Sequence, residues 1–302
     1  MSRTYCVVGG GISGLAAAYR IRALAGPSAT IVIFDPADRL GGVLRTETLA
    51  GQIMDIGAEA FIVRRPEVPA LLAELGLSDR LVTPTGVRTT IFSQGRLHPL
   101  PGGTVNGIPA EPAALSGLVD RATVARIAEE PGRGMDWQPG SDPAVGAVVA
   151  DRFGDQVVTR SLDPMLSGVY AGSAATIGIR SAVPTVAAAL DAGAPNLTEA
   201  VRRVLPSGVA GPVFGAIRGG YQVLLEELVR RAAAQWVQSP ITRVAPDGDG
   251  WTLADGGGVQ WHADGVVLAV AAPQLPALLD GIAPRSAAAA ARVPIASAAV
   301  LA

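Results

Sequence analysis

The chain has 302 residues, of which 49% are hydrophobic and 17% charged, and its formal net charge at pH 7 is −2. This composition excludes a disordered or highly charged chain, and the length predicts about two domains. Because basic residues are scattered along the chain and do not outnumber acidic ones, we do not expect nucleic acid as a partner.

The first 35 residues predict a β-α-β unit. Residues 4–8 and 30–34 are short, largely apolar runs typical of buried strands, and residues 12–23 between them have the pattern of a helix. The only cysteine, Cys6, lies in the first strand, where we expect it to be part of the core. With two histidines far apart in the sequence, the chain predicts neither a disulfide nor a metal site.

Three spaced glycines connect the first strand to the first helix. In this position Gly9 permits a tight turn, Gly11 permits close approach of a pyrophosphate, and Gly14 permits close helix–strand packing. The N-terminus of the helix adds unpaired N–H groups and a partial positive charge. Asp35 ends the second strand, 21 residues after Gly14, where a carboxylate can accept hydrogen bonds from a ribose. The sequence therefore predicts a dinucleotide site, the alternative being a glycine-rich turn without a ligand.

A second glycine pair favours FAD over NAD as the cofactor. Gly41 and Gly42 follow Arg39 shortly after the acid, and Gly57 follows the next short apolar run. Together they offer close backbone approach and a cation to a ligand longer than NAD.

The pattern then predicts that this nucleotide domain is interrupted. A helix over residues 68–75 and a hairpin over residues 88–99 precede a mostly helical stretch, residues 111–192. Within that stretch, Asp142 and Asp155 are the expected helix starts.

The nucleotide domain is expected to resume after a loop rich in glycine and proline, residues 206–215. A helix is expected from Gly219-Gly220 to about residue 234. Four strands are expected after it, over residues 241–244, 251–253, 259–262 and 265–271.

The stretch from Asp35 to Gly42, Asp-x-x-x-Arg-x-Gly-Gly, resembles the second phosphate motif of the glutathione-reductase-like flavoproteins. That group includes amine oxidases, phytoene desaturases and protoporphyrinogen oxidases. Five later segments resemble the bacterial protoporphyrinogen/coproporphyrinogen oxidases and occur in the family's order: residues 97–101, 107–109, 151–155, 166–172 and 219–224. The style of the sequence is similar to the actinobacterial branch.

This resemblance implies an α/β fold in which a Rossmann-like, glutathione-reductase-like FAD-binding domain is interrupted by a mostly helical substrate-domain insert. The expected domains are 1–85 (first part of the FAD-binding domain), 86–212 (substrate-domain insert), 213–272 (return of the FAD-binding domain with a helix and β-meander) and 273–302 (start of a further substrate-domain segment).

The resemblance also implies the activity, which is FAD-dependent oxidation of coproporphyrinogen III to coproporphyrin III in haem biosynthesis. Hydride equivalents pass to the flavin and O2 is the electron acceptor, so no catalytic side chain is expected to stand out. The propionates of a porphyrinogen would pair with arginines near the flavin, for which Arg64, Arg65 and Arg180 are candidates, and Tyr170 could form a wall of the site. The alternatives are solvated surface charges for Arg64 and Arg65, and core packing for Tyr170.

The expected cofactor-binding residues follow from the glycine motifs and, for one strand of the resumed domain, from its position in similar flavoproteins. They are Gly9, Gly10, Gly11, Ile12, Ser13, Gly14, Phe34, Asp35, Arg39, Gly41, Gly42, Gly57, Ala58, Glu59 and Ile241.

Resembling enzymes continue with a segment that returns to the flavin, whereas this sequence stops after an apolar, strand-like run, residues 296–302. A truncated form is therefore expected. The alternatives left open are an inactive nucleotide-binding fragment, a protoporphyrinogen IX oxidase, and another flavin amine-oxidase-like or desaturase-like enzyme.

The expected partners are a porphyrinogen and O2, with contact to a ferrochelatase and the oligomeric state left open. The most apolar segments, residues 164–179 and 265–279, are shorter than a membrane span and contain glycine or proline. A cytoplasmic protein with at most peripheral membrane contact is expected.

Overall fold

The computed structural model describes residues 2–87, 89–170, 172–205, 211–295 and 297. Its strands are β1 (Thr4–Val8), β2 (Thr30–Phe34), β3 (Thr46–Leu49), β4 (Gln52–Asp55), β5 (Phe61–Ile62), β6 (Leu81–Val82), β7 (Thr90–Ser93), β8 (Arg96–Pro99), β9 (Thr104–Val105), β10 (Ile108–Pro109), β11 (Phe214–Ile217), β12 (Gln235–Val237), β13 (Ile241–Asp247), β14 (Gly250–Asp255), β15 (Gln260–Ala263) and β16 (Gly265–Leu268). Its α-helices are α1 (Ile12–Ala25), α2 (Glu67–Leu75), α3 (Arg121–Glu129), α4 (Val145–Phe153), α5 (Asp155–Val157), α6 (Asp163–Tyr170), α7 (Ile179–Ala182), α8 (Pro184–Asp191), α9 (Leu197–Val204), α10 (Gln222–Ala232), α11 (Leu275–Leu278) and α12 (Pro284–Ala290). Short 3-10 helices at Ser78–Arg80, Pro112–Leu115, Glu130–Gly132 and Ala272–Gln274, and a π-helical turn at Val158–Leu162, complete the elements.

The chain divides into two compact units. Unit 1 combines Met1–Pro84 with Pro212–Ala302, and unit 2 is Thr85–Gly211. Unit 1 is therefore discontinuous in sequence. Among the described residues, no helix is both long and apolar enough to cross a membrane.

The centre of unit 1 is a parallel sheet with the strand order β12-β2-β1-β16. The predicted strands over residues 4–8 and 30–34 are confirmed at those residues, and the predicted first helix extends two residues further, to Ala25. Val8 is opposite both Phe34 and Leu268, so the carboxyl ends of β1, β2 and β16 meet at one edge of the sheet. Ligand sites in open α/β sheets lie at this edge.

Both faces of the parallel sheet are covered, as the alternation of side chains along a strand requires. One face packs against α1 and α10 and contributes Val7, Ile31 and Ile33 to the core. The other face packs against the antiparallel meander β13-β14-β15 and contributes Cys6, Val8, Val32 and Phe34. β1 and β2 are thus apolar where both of their faces are buried, over residues 6–8 and 31–34.

The helix expected from Gly219-Gly220 begins at Gln222, and its first N–H groups are held by side chains. The Tyr221 N–H donates to the Asp55 carboxylate over 3.0 Å, and the Gln222 N–H donates to the Thr46 hydroxyl over 3.0 Å. Gly220 has a φ of +82°, and a Cβ there would overlap the Thr46 side chain. Gly220 is therefore required by the way β3 and β4 cap this helix.

Unit 2 is mainly helical and carries its own core, centred on residues such as Val149, Phe153, Leu166 and Ile179. The predicted helix start at Asp155 is confirmed, but the predicted start at Asp142 is wrong, since α4 begins at Val145. The Asp142 carboxylate instead accepts from the Arg180 N–H in the first turn of α7, over 2.9 Å.

Four sequence predictions fall partly on residues outside the described ones. The hairpin is present as β7 and β8, but Arg88, where it was expected to start, is not described. The same holds for Ala171 of the segment 166–172, for residues 206–210 of the loop, and for most of the terminal run 296–302.

Candidate functional site

A cavity of about 760 Å³ in unit 1 opens at the carboxyl edge of the parallel sheet. Eight of the expected cofactor-binding residues line it: Gly9, Gly11, Ile12, Ser13, Phe34, Asp35, Gly42 and Ile241. They come from four separate stretches of the chain, which the parallel register brings to one place.

The glycines of the first loop differ in what requires them. Gly9 has a φ of +106°, and a Cβ there would overlap the carbonyl oxygen of Ala269. A Cβ on Gly14 would overlap the carbonyl oxygen of Gly9, as expected of the helix–strand packing position. Gly11 is unstrained, and a Cβ on it would meet no protein atom nearer than the Cα of Gly42, at 3.9 Å. Since Gly11 lines the cavity, a side chain there would obstruct only a ligand.

The cavity offers backbone N–H groups and a helix dipole to an anion. Helix α1 starts directly after Gly11 with no side-chain cap and no acidic residue in its first turn, and Ile12 and Ser13 line the cavity. Among the described residues that line the cavity, none is Lys or Arg, and Asp35 is the one acid. A pyrophosphate would therefore be held by main-chain groups at the helix N-terminus.

The Asp35 carboxylate joins two loops beside the cavity. Its Oδ2 accepts from the Gly10 N–H over 2.6 Å and its Oδ1 accepts from the Ala37 N–H over 2.9 Å. Its backbone is fixed by β12, because the Asp35 N–H donates to Val237 over 3.2 Å and Trp236 Nε1 donates to the Asp35 carbonyl over 3.3 Å. Each carboxylate oxygen can accept a further hydrogen bond, which suits a ribose diol.

The second glycine pair lies against the first loop. The Gly41 N–H donates to the Gly10 carbonyl over 2.8 Å, and Gly42 lines the cavity. Arg39 does not line the cavity; its guanidinium donates to the carbonyls of Leu44 over 2.9 Å and Gly42 over 2.7 Å. The expectation that Arg39 faces a ligand as a cation therefore does not match its position.

Gly57, Ala58 and Glu59 are not among the residues that line the cavity. A Cβ on Gly57 would overlap the carbonyl oxygen of Val43, so close backbone packing accounts for this glycine. Ala58 and Glu59 are exposed.

The far end of the cavity is formed by the start of β13 and by α11. Ile241 is 8% exposed, and Thr242 and Gln274 line the same end. Sequence reasoning missed Thr242 and Gln274, together with Val43 and residues 269–271, which follow β16. For residues 269–271, the available signal was the apolar run after residue 265. If that run forms a parallel strand beside β1, its carboxyl end lies at the same edge of the sheet as the cavity.

The four candidate substrate-binding residues lie in different units. Arg64 and Arg65 are exposed after β5 in unit 1, and Tyr170 ends α6 in unit 2 with 47% exposure, which rules out core packing. Arg180, in unit 2, donates to both carboxylate oxygens of Asp191 over 2.8 and 2.9 Å. With Trp137, this guanidinium holds the pKa of the Asp191 carboxyl well below its usual range.

The family described as "Flavin containing amine oxidoreductase" matches residues 12–301 of the chain. The chain belongs to this family. The expected fold is confirmed at the level of a FAD-binding α/β fold, and the expected cofactor, FAD, is the one on which this family depends.

Within the family, the chain is similar to enzymes named coproporphyrinogen III oxidase. It is 63% identical to that of Mycobacterium tuberculosis strain H37Rv, over 99% of this chain and 66% of the relative. It is 62% identical to that of Mycobacterium leprae, over 100% of this chain and 67% of the relative. The chain thus spans about two thirds of the length of these relatives.

Two solved structures share the fold of this chain. A proposed protoporphyrinogen oxidase from Exiguobacterium sp. 255-15 superposes with a TM-score of 0.78 at 28% identity, covering 93% of this chain and 62% of that one. The cyclohexylamine oxidase of Brevibacterium oxydans superposes with a TM-score of 0.64 at 18% identity, covering 98% of this chain and 64% of that one, and shows the fold alone.

Proposed function

We propose that unit 1 binds FAD in the cavity at the sheet edge and that the protein oxidises coproporphyrinogen III to coproporphyrin III. The observation that carries this proposal is the convergence of Gly11, Asp35, Gly42 and Ile241 on one cavity. The choice of substrate is supported by relatives at 63% identity that carry the name coproporphyrinogen III oxidase.

In this proposal each end of the cavity holds one part of the cofactor. The N-terminus of α1 beside Gly11 would hold the pyrophosphate, Asp35 would accept from the ribose hydroxyls, and Ile241 would hold the adenine. Bound FAD supplies the two-electron acceptor for the porphyrinogen and passes the electrons to O2. The protein's own tasks are to bind, orient and exclude water.

Unit 1 is proposed as a glutathione-reductase-like FAD-binding domain and unit 2 as the substrate-domain insert. A cytoplasmic location and contact with a ferrochelatase are part of the same proposal, because they belong to the pathway step that the resemblance implies.

Arg65 is the proposed partner of a substrate propionate. Its side chain is exposed, whereas the guanidinium of Arg180 already forms a two-point ion pair with Asp191. We expect Arg65→Ala to raise the KM for coproporphyrinogen III about tenfold, the effect of losing one charge-assisted hydrogen bond, with FAD affinity unchanged. The measurement is steady-state porphyrin fluorescence beside FAD titration. A KM equal to that of the wild type would end the role of Arg65.

The proposed function is tested by loading the protein with FAD and supplying coproporphyrinogen III or protoporphyrinogen IX in air. Porphyrin fluorescence should rise faster with coproporphyrinogen III. A yellow protein that prefers protoporphyrinogen IX would contradict the proposed choice of substrate. A protein that takes up no FAD would contradict the proposed FAD site.

A further inference from the structure

Arg39 lies on the opposite side of the second glycine turn from the nucleotide cavity. It lines a separate cavity of about 430 Å³, whose other walls include Leu44, Leu225 and Val229. Its guanidinium donates to the carbonyls of Gly42 and Leu44, over 2.7 and 2.9 Å. The positive charge is thus directed at the main chain of the turn and not into the nucleotide cavity.

The turn that Arg39 holds forms part of the wall beside the pyrophosphate position. Gly41 and Gly42 have φ values of +114° and +59°. Glycine adopts both positive and negative φ in a free chain, so contacts are needed to hold the turn in this conformation. A Cβ on Gly42 would lie 3.1 Å from the Cα of Gly11, so the turn packs directly on the glycine that faces the cavity.

Two groups of contacts fix this turn. On one side the Gly41 N–H donates to the Gly10 carbonyl over 2.8 Å, which ties the turn to the first loop. On the other side Arg39 bridges the carbonyls of Gly42 and Leu44. The planar guanidinium can bond two carbonyls at once, whereas an ammonium group lacks this fork geometry.

We infer that Arg39 is a positioning residue for the pyrophosphate end of the nucleotide site. It acts by holding the turn of residues 41–44 against Gly11, and it makes no contact with a phosphate. This inference rests on the FAD site proposed above. It gives Arg39 the role of holding the turn in place of the role of a phosphate-binding cation.

The test compares Arg39→Lys with Arg39→Met by titrating FAD at low and high salt. Both variants should lose FAD affinity about tenfold and to a similar degree, because both lose the carbonyl bridge. The salt dependence of the remaining affinity should equal that of the wild type, since no phosphate contact has been removed. Affinity retained by Lys and lost by Met, with a weaker salt dependence in Met, would overturn the inference.

Arg45→Met is the matched control. Arg45 is exposed in the same cavity wall, and its guanidinium pairs with Glu47 over 2.8 Å. Its substitution removes the same charge at a neighbouring position and should leave FAD affinity within about twofold, because exposed ion pairs contribute little. A loss as large as that of the Arg39 variants would show that net charge, and not the carbonyl bridge, is responsible.

Hydrogen exchange on the protein without FAD separates this inference from the proposed function. In Arg39→Lys the amides of Gly41 and Leu44 should exchange faster, while those of β1 and β2 keep their protection. Unchanged exchange at Gly41 and Leu44 would contradict the positioning role even in a protein that binds FAD. A wild-type protein that takes up no FAD would contradict the proposed function, whatever the exchange result.

Discussion

Two of the glycines in the first loop, Gly11 and Gly14, meet different requirements. Gly14 is needed by the protein, because a Cβ would overlap the Gly9 carbonyl. A Cβ on Gly11 would meet no protein atom nearer than 3.9 Å, so in the proposed FAD site this glycine serves the ligand.

Exchanging each glycine for alanine should separate these effects. Gly11→Ala should lower FAD affinity at least about tenfold while leaving the thermal midpoint of the FAD-free protein near that of the wild type, since its backbone suits alanine. Gly14→Ala should lower the midpoint itself because the overlap must be relieved by backbone movement. Calorimetric melting and FAD titration of both variants measure the two effects. Equal midpoints for the two variants would contradict the distinction.

Cys6 gives a second prediction at this scale. It is 1% exposed in β1, and burial raises the pKa of its thiol to about 11. At pH 8 only about one folded molecule in a thousand would carry the thiolate, so a thiol reagent should label the native protein far more slowly than the urea-unfolded chain. Similar labelling rates in the two states would show that the thiol is accessible.

The raised pKa of Cys6 also makes the free energy of unfolding depend on pH. The thiol of the unfolded chain ionises near pH 8.5, while the folded one keeps its proton to about pH 11. The stabilisation from the neutral buried thiol is therefore complete below about pH 8.5 and is lost as the pH rises through this window. Urea unfolding of Cys6→Ala should show a flatter pH dependence above pH 8.5 than the wild type, and an identical dependence would contradict the assignment.

Most of the site residues that lie in the two glycine loops could be predicted from the sequence, because the spacing of the glycines is visible there. The site residues contributed by the later part of the chain could mostly not be predicted. Thr242 lies in β13, and Gln274 ends the 3-10 helix before α11. Both reach the cavity through the positions of these elements, and no local pattern in the sequence records those positions. Arg39 was assigned to the ligand because an arginine before two glycines looks the same whether it bonds a phosphate or two carbonyls.

At the scale of elements, acidic side chains cap the first turns of several helices, but the helix that a given acid caps is not always the next one in the sequence. Asp120 caps α3 by accepting from the Thr123 N–H over 2.8 Å, as local spacing suggests. Asp142 was expected to start the following helix but accepts from Arg180 at the start of α7, 38 residues later. A capping residue can be recognised in a sequence, but its partner is set by tertiary packing.

A buried acid caps α9 in unit 2. Glu130 is 0% exposed and accepts from the Leu197 and Thr198 N–H groups over 2.9 and 3.0 Å, while Arg152 Nε donates to it over 2.8 Å. The remaining guanidinium nitrogens of Arg152 donate to the carbonyls of Gly134 and Arg133. One carboxylate thus joins the start of α9 to α4.

Glu130→Ala should destabilise unit 2 by about 3–5 kcal/mol, because it leaves a buried guanidinium without its counter-ion. The local readout is hydrogen exchange at the Leu197 and Thr198 amides, which should lose protection. Glu199→Ala is the control: its ion pair with Arg203 is exposed, and its removal should change stability by less than about 1 kcal/mol. Retained protection in Glu130→Ala would contradict the role of the buried pair.

At the scale of the whole molecule, unit 1 depends on pairing between distant parts of the chain. Strand β11 lies between β5 and β6, and β16 and β12 pair with β1 and β2. Four strands of the return were expected from the sequence, over residues 241–244, 251–253, 259–262 and 265–271, whereas β11 and β12 were not. The neighbours of β16 and β12 in the sheet could not be predicted, because parallel pairing leaves no turn between partners to reveal the register. The first part of unit 1 therefore lacks the sheet neighbours of β1 and β2 until the chain returns after unit 2.

The same organisation means that both segments of unit 1 contribute to the cavity at the sheet edge. The cavity needs residues from both of its segments, since Gly11 and Asp35 come before the insertion and Ile241 comes after it. The central claim is that this cavity holds the FAD through which a porphyrinogen is oxidised.

The measurement that tests this claim most directly is an anaerobic titration of the FAD-loaded protein with coproporphyrinogen III, followed by absorbance and porphyrin fluorescence together. We predict that the bound flavin bleaches without air as it takes two electrons from coproporphyrinogen III. Coproporphyrin III needs successive two-electron oxidations, so its fluorescence should accumulate once air restores the flavin colour, and Gly11→Ala should weaken both signals at the same FAD concentration. Flavin that binds and stays oxidised in the presence of coproporphyrinogen III would contradict the claim.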